Sequence, residues 1–248
     1  FSEEELEYSG LVKRSAKGNL YDIFRHRVMV PIIDVRGAII AFGGRVLDDS
    51  KPKYINSPET MVYKKSRTLF ALNVAKKSPN KRYILCEGYM DVISMHEAGF
   101  DTAVCACGTA LTPEQVKLLT EYADEVVLSY DSDEAGQKAT ERSLGILGST
   151  TLKVSVLSYQ GAKDPDEFIK KYGRERFEML LNGTANPTEF QLKKSKAKYD
   201  LRSDDGRLSY IREAIEILTE RGVSPTARDV YAGRLADETG VSKQAIVS

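Results

Sequence analysis

The chain has 248 residues, carries 36 Lys/Arg against 36 Asp/Glu, and is 42% apolar. That is a globular composition with length enough for a sizeable core, and no stretch approaches the roughly 20 apolar residues of a membrane span. Cys86, Cys105 and Cys107 form no Cys-x-x-Cys pair and histidines are scarce, which argues against a structural zinc site and for reduced thiols in a cytoplasmic compartment.

The chain starts Phe1-Ser2-Glu3-Glu4-Glu5, acidic and with no apolar run behind it, so no secretory signal is expected, and the missing initiator Met suggests a fragment. Residues 28–47 read as a hairpin. Two β-rich runs, 28–33 and 38–42, flank Asp34-Val35-Arg36-Gly37, which supplies turn chemistry. Residues 51–72 mix short strand-like runs with loops, and Asn56-Ser57-Pro58-Glu59 is a predicted turn.

From Lys81 the pattern becomes strand–helix alternation. Strands are predicted over 83–86, 102–106, 126–130 and 153–157. Helices are predicted over 90–98, closed by Gly99, and over about 134–147. Another starts at Thr112-Pro113-Glu114-Gln115, where a capping Thr, a Pro at the first helical position and a capping-box Gln coincide. Asp164-Pro165-Asp166-Glu167 opens one more. The fold class expected is α/β, with a mainly parallel sheet flanked by helices. After about Gly173 the strands stop. Asn186-Pro187 and Ser224-Pro225 begin helices, and Leu208, Ile211, Ile215 and Leu218 share helical spacing in a segment ended by Gly222. The expected division is a basic α/β segment over 1–80, an acidic α/β segment over 81–173 and a helical bundle over 174–248.

The neutral total hides an asymmetry. Residues 1–80 hold 14 Lys/Arg against 9 Asp/Glu, and residues 81–173 hold 9 against 15. A basic block beside an acidic one suggests a polyanion cradle next to a cation site, although uneven surface charge gives the same count. Ligands of open parallel sheets bind at the carboxyl ends of the strands, and acids stand at three such ends. Glu87 follows the first predicted strand, Asp131 and Asp133 the third, and Asp164 and Asp166 lie beyond the fourth. Crowded carboxylates repel, and a hard divalent ion, Mg²⁺ or Mn²⁺, is the natural compensation. Asp133 and Asp166 also precede helices, where either could be a simple N-cap. Asp131-x-Asp133-x-x-Gly136 begins like a calcium-binding EF-hand loop, but its twelfth position is Arg142 rather than Glu.

Glu87-Gly88-Tyr89-Met90-Asp91-Val92 and Tyr130-Asp131-Ser132-Asp133-Glu134-Ala135-Gly136 closely resemble the TOPRIM domain of bacterial primases, topoisomerases, some nucleases and recombination-repair proteins. The first string, with Arg25–Ile32, Phe42–Val46, Pro52–Thr60, Gly108–Thr112 and Asp164–Asp166, resembles bacterial replicative DNA primase and its catalytic RNA polymerase domain. The resemblance implies synthesis of RNA primers from nucleoside triphosphates on single-stranded DNA, with a TOPRIM nuclease or topoisomerase-type enzyme as the alternative. It implies Glu87, Asp131 and Asp133 as catalytic acids and Glu87, Asp131, Asp133, Asp164 and Asp166 as ligands of Mg²⁺ or Mn²⁺, with a proton carrier the alternative role for Glu87 and Asp91 structural or behind them. Lys53, Asn56 and Lys65 match positions associated with nucleotide or template binding. Arg27, Arg45 and Arg67 are candidate phosphate contacts, Arg45 because it follows Gly43-Gly44, and Tyr54 is a candidate base stacker. The resemblance also implies a zinc-binding domain and a helicase-binding domain outside this chain, so no zinc is expected here. Contacts with the replicative helicase and the single-stranded DNA-binding protein would use those absent domains. Thr239-Gly240 resembles a helix-turn-helix turn with Ser242 as the following cap, a pattern an ordinary helix connection shares. No membrane contact is expected; the sequence leaves the oligomeric state open, neutral charge and the lack of coiled-coil heptads leaning toward a monomer.

Overall fold

The computed structural model describes residues 1–106, 108–220 and 223–247. Cys107 and the predicted helix stop Gly222 lie outside the described residues. The chain forms two compact units, Phe1–Asn182 and Gly183–Ser248.

The first unit opens with α1 (Glu3–Tyr8), capped by Ser2 and Glu5. An antiparallel ribbon of β1 (Val12–Arg14) and β2 (Leu20–Asp22) follows. The predicted hairpin is present as β3 (Arg27–Ile33) and β4 (Ile39–Val46), and β5 (Tyr54–Asn56) extends it into an antiparallel meander. Its turn is set by Asp34, whose Oδ1 accepts the backbone N–H groups of Arg36 and Ala38, each at 2.9 Å, while Gly37 takes a φ of 96° open to glycine. A single 3₁₀ turn over Lys65–Arg67 and the short α2 (Leu72–Ala75) lead into the second sheet.

That sheet contains β6 (Arg82–Cys86), β7 (Ala103–Cys105), β8 (Glu125–Ser129) and β9 (Lys153–Val156). All neighbours are parallel and the order is β7-β6-β8-β9. The helices that alternate with them are α3 (Tyr89–Glu97), α4 (Pro113–Tyr122), α5 (Glu134–Leu147) and α6 (Pro165–Asn182), the last interrupted by the non-helical backbone of Gly173. Covered on both faces, β6 is an unbroken apolar run, with Tyr83, Ile84, Leu85 and Cys86 all buried. Each such aliphatic side chain contributes about 1.5–3 kcal/mol by leaving water. Val30, Ile32 and Ala41 of the meander share one core with Ile84 and Val127 of the parallel sheet and with Phe168 and Phe177 of α6. This shared core fixes the basic sheet against the parallel one. Cys86 and Cys105 are buried neighbours in register on β6 and β7, and burial pushes the Cys86 thiol well up.

The second unit is helical: α7 (Pro187–Lys196), α8 (Asp204–Thr219), α9 (Pro225–Thr239) and α10 (Lys243–Val247). Asn186, Ser203 and Ser224 cap the first three through their side-chain oxygens. The buried face of α8 is Tyr210, Ile211, Ala214, Ile217 and Leu218, whereas Leu208 is 58% exposed and takes no part in it. Gly240 ends α9 at φ 72°, and the Ser242 hydroxyl accepts the Ala245 N–H at 3.3 Å, so turn and cap stand as expected. No described helix is long and apolar enough to cross a membrane.

Candidate active site

Because the sheet is parallel, the loops leaving β6, β8 and β9 emerge at one edge. At β6 the chain turns through Glu87 and Gly88 into α3, and the Asp91 carboxylate closes that turn by accepting the Gly88 N–H at 3.0 Å. Glu87 is left exposed. At β8 the chain passes Tyr130, Asp131 and Ser132, and Asp133 caps α5 by accepting the Gly136 N–H at 2.9 Å. Beyond β9, Asp164 accepts the Glu167 N–H at 2.8 Å and so caps α6. The two loops are stitched together: the Ser132 N–H and hydroxyl both donate to the Lys163 carbonyl, at 2.9 and 3.0 Å.

The cap roles differ from expectation at one position. Asp133 is a cap, but at α6 the cap is Asp164, because the helix begins at Pro165. Asp166 instead lies in the first turn, accepts the Ser94 hydroxyl from α3 and is bridged by Lys170 at 2.7 Å. Burial raises its pKa, yet these bonds outweigh burial and hold it below the ordinary carboxylate value, with Arg45 adding to the effect. Asp166 is therefore already compensated by the protein.

Its neighbours are not. Burial, then the charge of Glu87, opposed by Lys163 and reinforced by Asp164 and Asp133, pushes the Asp131 carboxyl up to about 6. Lys163 stands 3.8 Å away and leaves that excess uncorrected. Burial pushes Asp91 up to about 7 against the Gly88 hydrogen bond, with Asp131, Asp164 and Asp166 adding to it. Glu87, Asp91, Asp131, Asp133 and Asp164 thus act in one electrostatic field. Asp91, expected from sequence to be structural or to stand behind the ligands, closes the Glu87 turn and also faces the cluster. The donors are all carboxylate oxygens, a set suited to a hard divalent cation. As the side chains stand, no three His, Cys, Asp or Glu groups among the described residues are drawn together closely enough to hold one.

A basic and aromatic surface adjoins this edge. Arg45 of β4 and Tyr54 of β5 are cross-strand partners. The Arg45 guanidinium and the Lys53 ammonium each stand 5.6 Å from the Tyr54 ring centre. Tyr54 is 41% exposed and meets Tyr89 edge-on at 5.5 Å. Tyr89 is the first residue of α3, two beyond Glu87, so platform and acidic loop touch. Asn56 packs beside Gly43 and Gly108, where added β-carbons would approach its amide to 3.2 and 3.3 Å.

Gly43 and Gly44 are both needed for packing. A β-carbon on Gly43 would crowd Tyr89 and Asn56, and one on Gly44 would collide with Phe24 and crowd Arg27. The guanidinium of Arg27 is occupied: Nη1 donates to the carbonyls of Gly44 and Lys53, at 3.1 and 3.2 Å, and Nη2 to Pro52 at 2.7 Å. These bonds use three of its five N–H donors and tie β3 to β4 and to the segment before β5. Lys65 and Arg67 sit on the separate 3₁₀ turn, Lys65 half-buried and Arg67 exposed. Beside Glu87 a cleft of about 540 Å³ runs between Cys86, Ala106, Leu111, Tyr130 and Arg142.

Three family models match the chain: "DNA primase catalytic core, N-terminal domain" over residues 1–76, "Toprim-like" over 84–169, and "DnaB-helicase binding domain of primase" over 188–244. The last falls within the second unit, which corrects the expectation that helicase-binding sequence lies wholly outside this chain. A DNA primase of Clostridium acetobutylicum is 42% identical over 99% of the chain, and the chain spans 41% of that protein's length. Among solved structures, a DNA primase domain from Pseudomonas aeruginosa is similar at a TM-score of 0.77 and 34% identity, with 98% of this chain and 78% of that one covered. The RNA polymerase domain of the Mycobacterium tuberculosis primase DnaG, in complex with a double-stranded DNA oligomer with a 6-nucleotide overhang, is similar at 0.81 and 32% identity, covering 98% and 78%.

Proposed function

The chain belongs to the family of bacterial DnaG primase catalytic cores, and from that membership we propose that it synthesises short RNA primers on a single-stranded DNA template by nucleotidyl transfer. The observation that carries the reading is the contact of Tyr54 with Tyr89, which joins a cationic, base-sized platform to an uncompensated carboxylate edge. A nucleoside triphosphate presents both complements, a flat base and a polyanion that travels with a divalent cation.

In this reading Glu87, Asp131, Asp133 and Asp164 hold Mg²⁺ or Mn²⁺. Asp133 and Asp164 each use one oxygen, Oδ1, for a helix cap and keep the other for the ion. The bound ion supplies activation of the attacking hydroxyl and neutralisation of the leaving pyrophosphate. The chain itself orients the reactants. Arg45 and Lys53 grip phosphate oxygens, Arg45 in the bidentate manner open to a guanidinium. Tyr54 offers its exposed ring to a base. Lys65 and Arg67 hold the nucleic-acid backbone. Asp166, bound to Ser94 and Lys170, fixes α6 against α3 and so sets the height of Asp164 at the edge. Arg27 holds the strand ends from which Arg45 and Lys53 project. The overhang-bearing DNA carried by the mycobacterial relative supports a nucleic-acid strand as the second ligand. The match over 188–244 supports a replicative helicase as partner of the second unit.

The test is to incubate the chain with labelled single-stranded DNA, four ribonucleoside triphosphates and Mg²⁺ or Mn²⁺. A ladder of new RNA that Glu87→Gln abolishes is the expected result. Cleaved or rejoined DNA without RNA would move the chain to the nuclease or topoisomerase class.

A further inference from the structure

Gln115 is the third residue of α4 and closes its capping box in the ordinary way: its Oε1 accepts the Thr112 N–H at 3.0 Å, and its own N–H donates to the Thr112 hydroxyl oxygen at 3.1 Å. A capping-box side chain normally leaves its other atoms in water. Here Gln115 is fully buried, at 0% exposure. Both hydrogens of its amide nitrogen are used on a distant segment, one donated to the Lys65 carbonyl at 2.9 Å and the other to the Thr68 carbonyl at 2.8 Å. The Thr112 hydroxyl donates to the Ser66 carbonyl between them, at 2.6 Å. Three successive anchors therefore fix the 3₁₀ turn that bears Lys65 and Arg67 to the start of α4. Two residues past Thr68, the Phe70 N–H donates to the Cys105 carbonyl at 2.9 Å and ties the same segment to β7.

We propose that Gln115 is a positioning residue for nucleic-acid binding: it holds the Lys65–Arg67 turn at a fixed height against the parallel sheet, so that its two cations meet the backbone of a strand lying along the acidic edge. The proposal rests on the assignment of Lys65 and Arg67 as backbone contacts. The chemistry selects Gln over its usual alternative. Glu closes a capping box equally well, but it offers no donors, and its carboxylate would face the Lys65 and Thr68 carbonyls with like partial charge. Position 115 thus keeps a helix start with either residue and holds the basic turn only with the amide.

The test measures binding of a fluorescein-labelled oligodeoxythymidylate to the full chain across a salt series, with the melting midpoint recorded for every variant. The reference is Lys65→Ala/Arg67→Ala, expected to weaken binding and to make log Kd less steep in log salt by about 0.7 for each phosphate no longer neutralised. Gln115→Glu is expected to reproduce most of that weakening and flattening, and to add nothing further in the reference background. Thr112→Asp keeps an N-cap acceptor but loses the donor to Ser66, and it is expected to shift binding the same way to a smaller extent; it carries the test if Gln115→Glu does not fold. Wild-type binding in both anchor variants overturns the proposal. So does a loss in Gln115→Glu that is simply additive with the reference, because Gln115 then acts elsewhere. If the reference pair itself binds like wild type, the assignment of the turn fails and the proposal with it, a result read without any change at Gln115.

Discussion

The backbone carbonyl of Asp131 lies where a β-carbon on Gly136 would stand. The loop leaving β8 doubles back on the first turn of α5 so tightly that only hydrogen fits, and the Gly136 N–H donates to Asp133 in the same turn. The spacing Asp131-x-Asp133-x-x-Gly136 is thus a packing requirement: the glycine lets two acids be presented from one loop. Gly136→Ala should cost about 1–3 kcal/mol, as overpacking generally does, and lower the melting midpoint by several degrees. Primer synthesis should fall further than stability alone explains, because the clash displaces Asp131 itself. A variant that melts and polymerises like the parent would remove the packing explanation.

The same strand carries an acid treated in the opposite way. Glu125 starts β8 and lies between its cross-strand partners Arg82 and Lys153. Arg82 and Lys153 bridge it at 3.1 and 3.2 Å, and the Ser155 hydroxyl donates at 2.9 Å. Burial raises its pKa, but these partners together hold it below the ordinary value of 4.5. A lowered carboxyl contributes stability above its unfolded pKa and loses it as pH falls through the folded value. Glu125→Gln should therefore cost about 1 kcal/mol near neutral pH, with the difference from wild type shrinking as pH falls below 4.5 and through the lowered folded value. Urea melts at several pH values measure this, and a pH-independent difference would assign the loss to packing.

Arg27 separates a structural from a ligand-binding arginine. From the start of β3 its guanidinium donates to three backbone carbonyls, that of Gly44 on β4 and those of Pro52 and Lys53 before β5. Arg27→Ala should destabilise by about 1.5–3 kcal/mol, the scale of a hydrogen bond from a charged donor, and leave the salt dependence of DNA binding unchanged. Arg45→Ala should do the reverse: little change in melting, and a rise in KM for nucleoside triphosphates. Equal effects of the two on the salt slope would return Arg27 to the phosphate contacts.

These residues also mark how far the sequence could be read. Glu87, Asp131 and Asp133 were legible because each closely follows a short apolar run bounded by turn chemistry, which reads as a buried strand, and α5 begins and ends as its cap and periodicity require. The hairpin was legible from Asp34 and Gly37. The short α1 carried a signal that went unread, the capping box Ser2-x-x-Glu5, whereas β1 and β2, three residues each, are too short to show an alternation. Leu208 misled because helical spacing fixes a period and not a phase, and the covered stripe runs through Tyr210 and Ala214. The site was only half legible for a related reason. The caps on Asp133 and Asp164 are local and follow from where each helix begins, but the Ser94 bond that draws Asp166 aside and the meeting of Tyr54 with Tyr89 join distant parts of the chain, and neither composition nor local spacing encodes them.

The uncompensated edge makes a last prediction about stability against function. Asp131 is charged at neutral pH in spite of Glu87, Asp133 and Asp164, so without a cation its charge opposes folding. Asp131→Asn should melt at or above the wild-type midpoint in chelator. Adding Mg²⁺ or Mn²⁺ should reverse the order, since an ion that binds only the folded chain stabilises it as RT ln(1 + [M²⁺]/Kd), about 2.7 kcal/mol at a hundredfold excess over Kd. The wild type should therefore gain several degrees and Asp131→Asn little, while primer synthesis is lost in the variant at every metal concentration. The Asp166→Asn variant provides the contrast: its carboxylate is already paired with Lys170 and Ser94, so it should lose stability in chelator and keep most of the metal-induced gain. A full metal shift in Asp131→Asn would mean that the ion, wherever it binds, does not use Asp131, and the edge would have to be reassigned around Glu87 and Asp164.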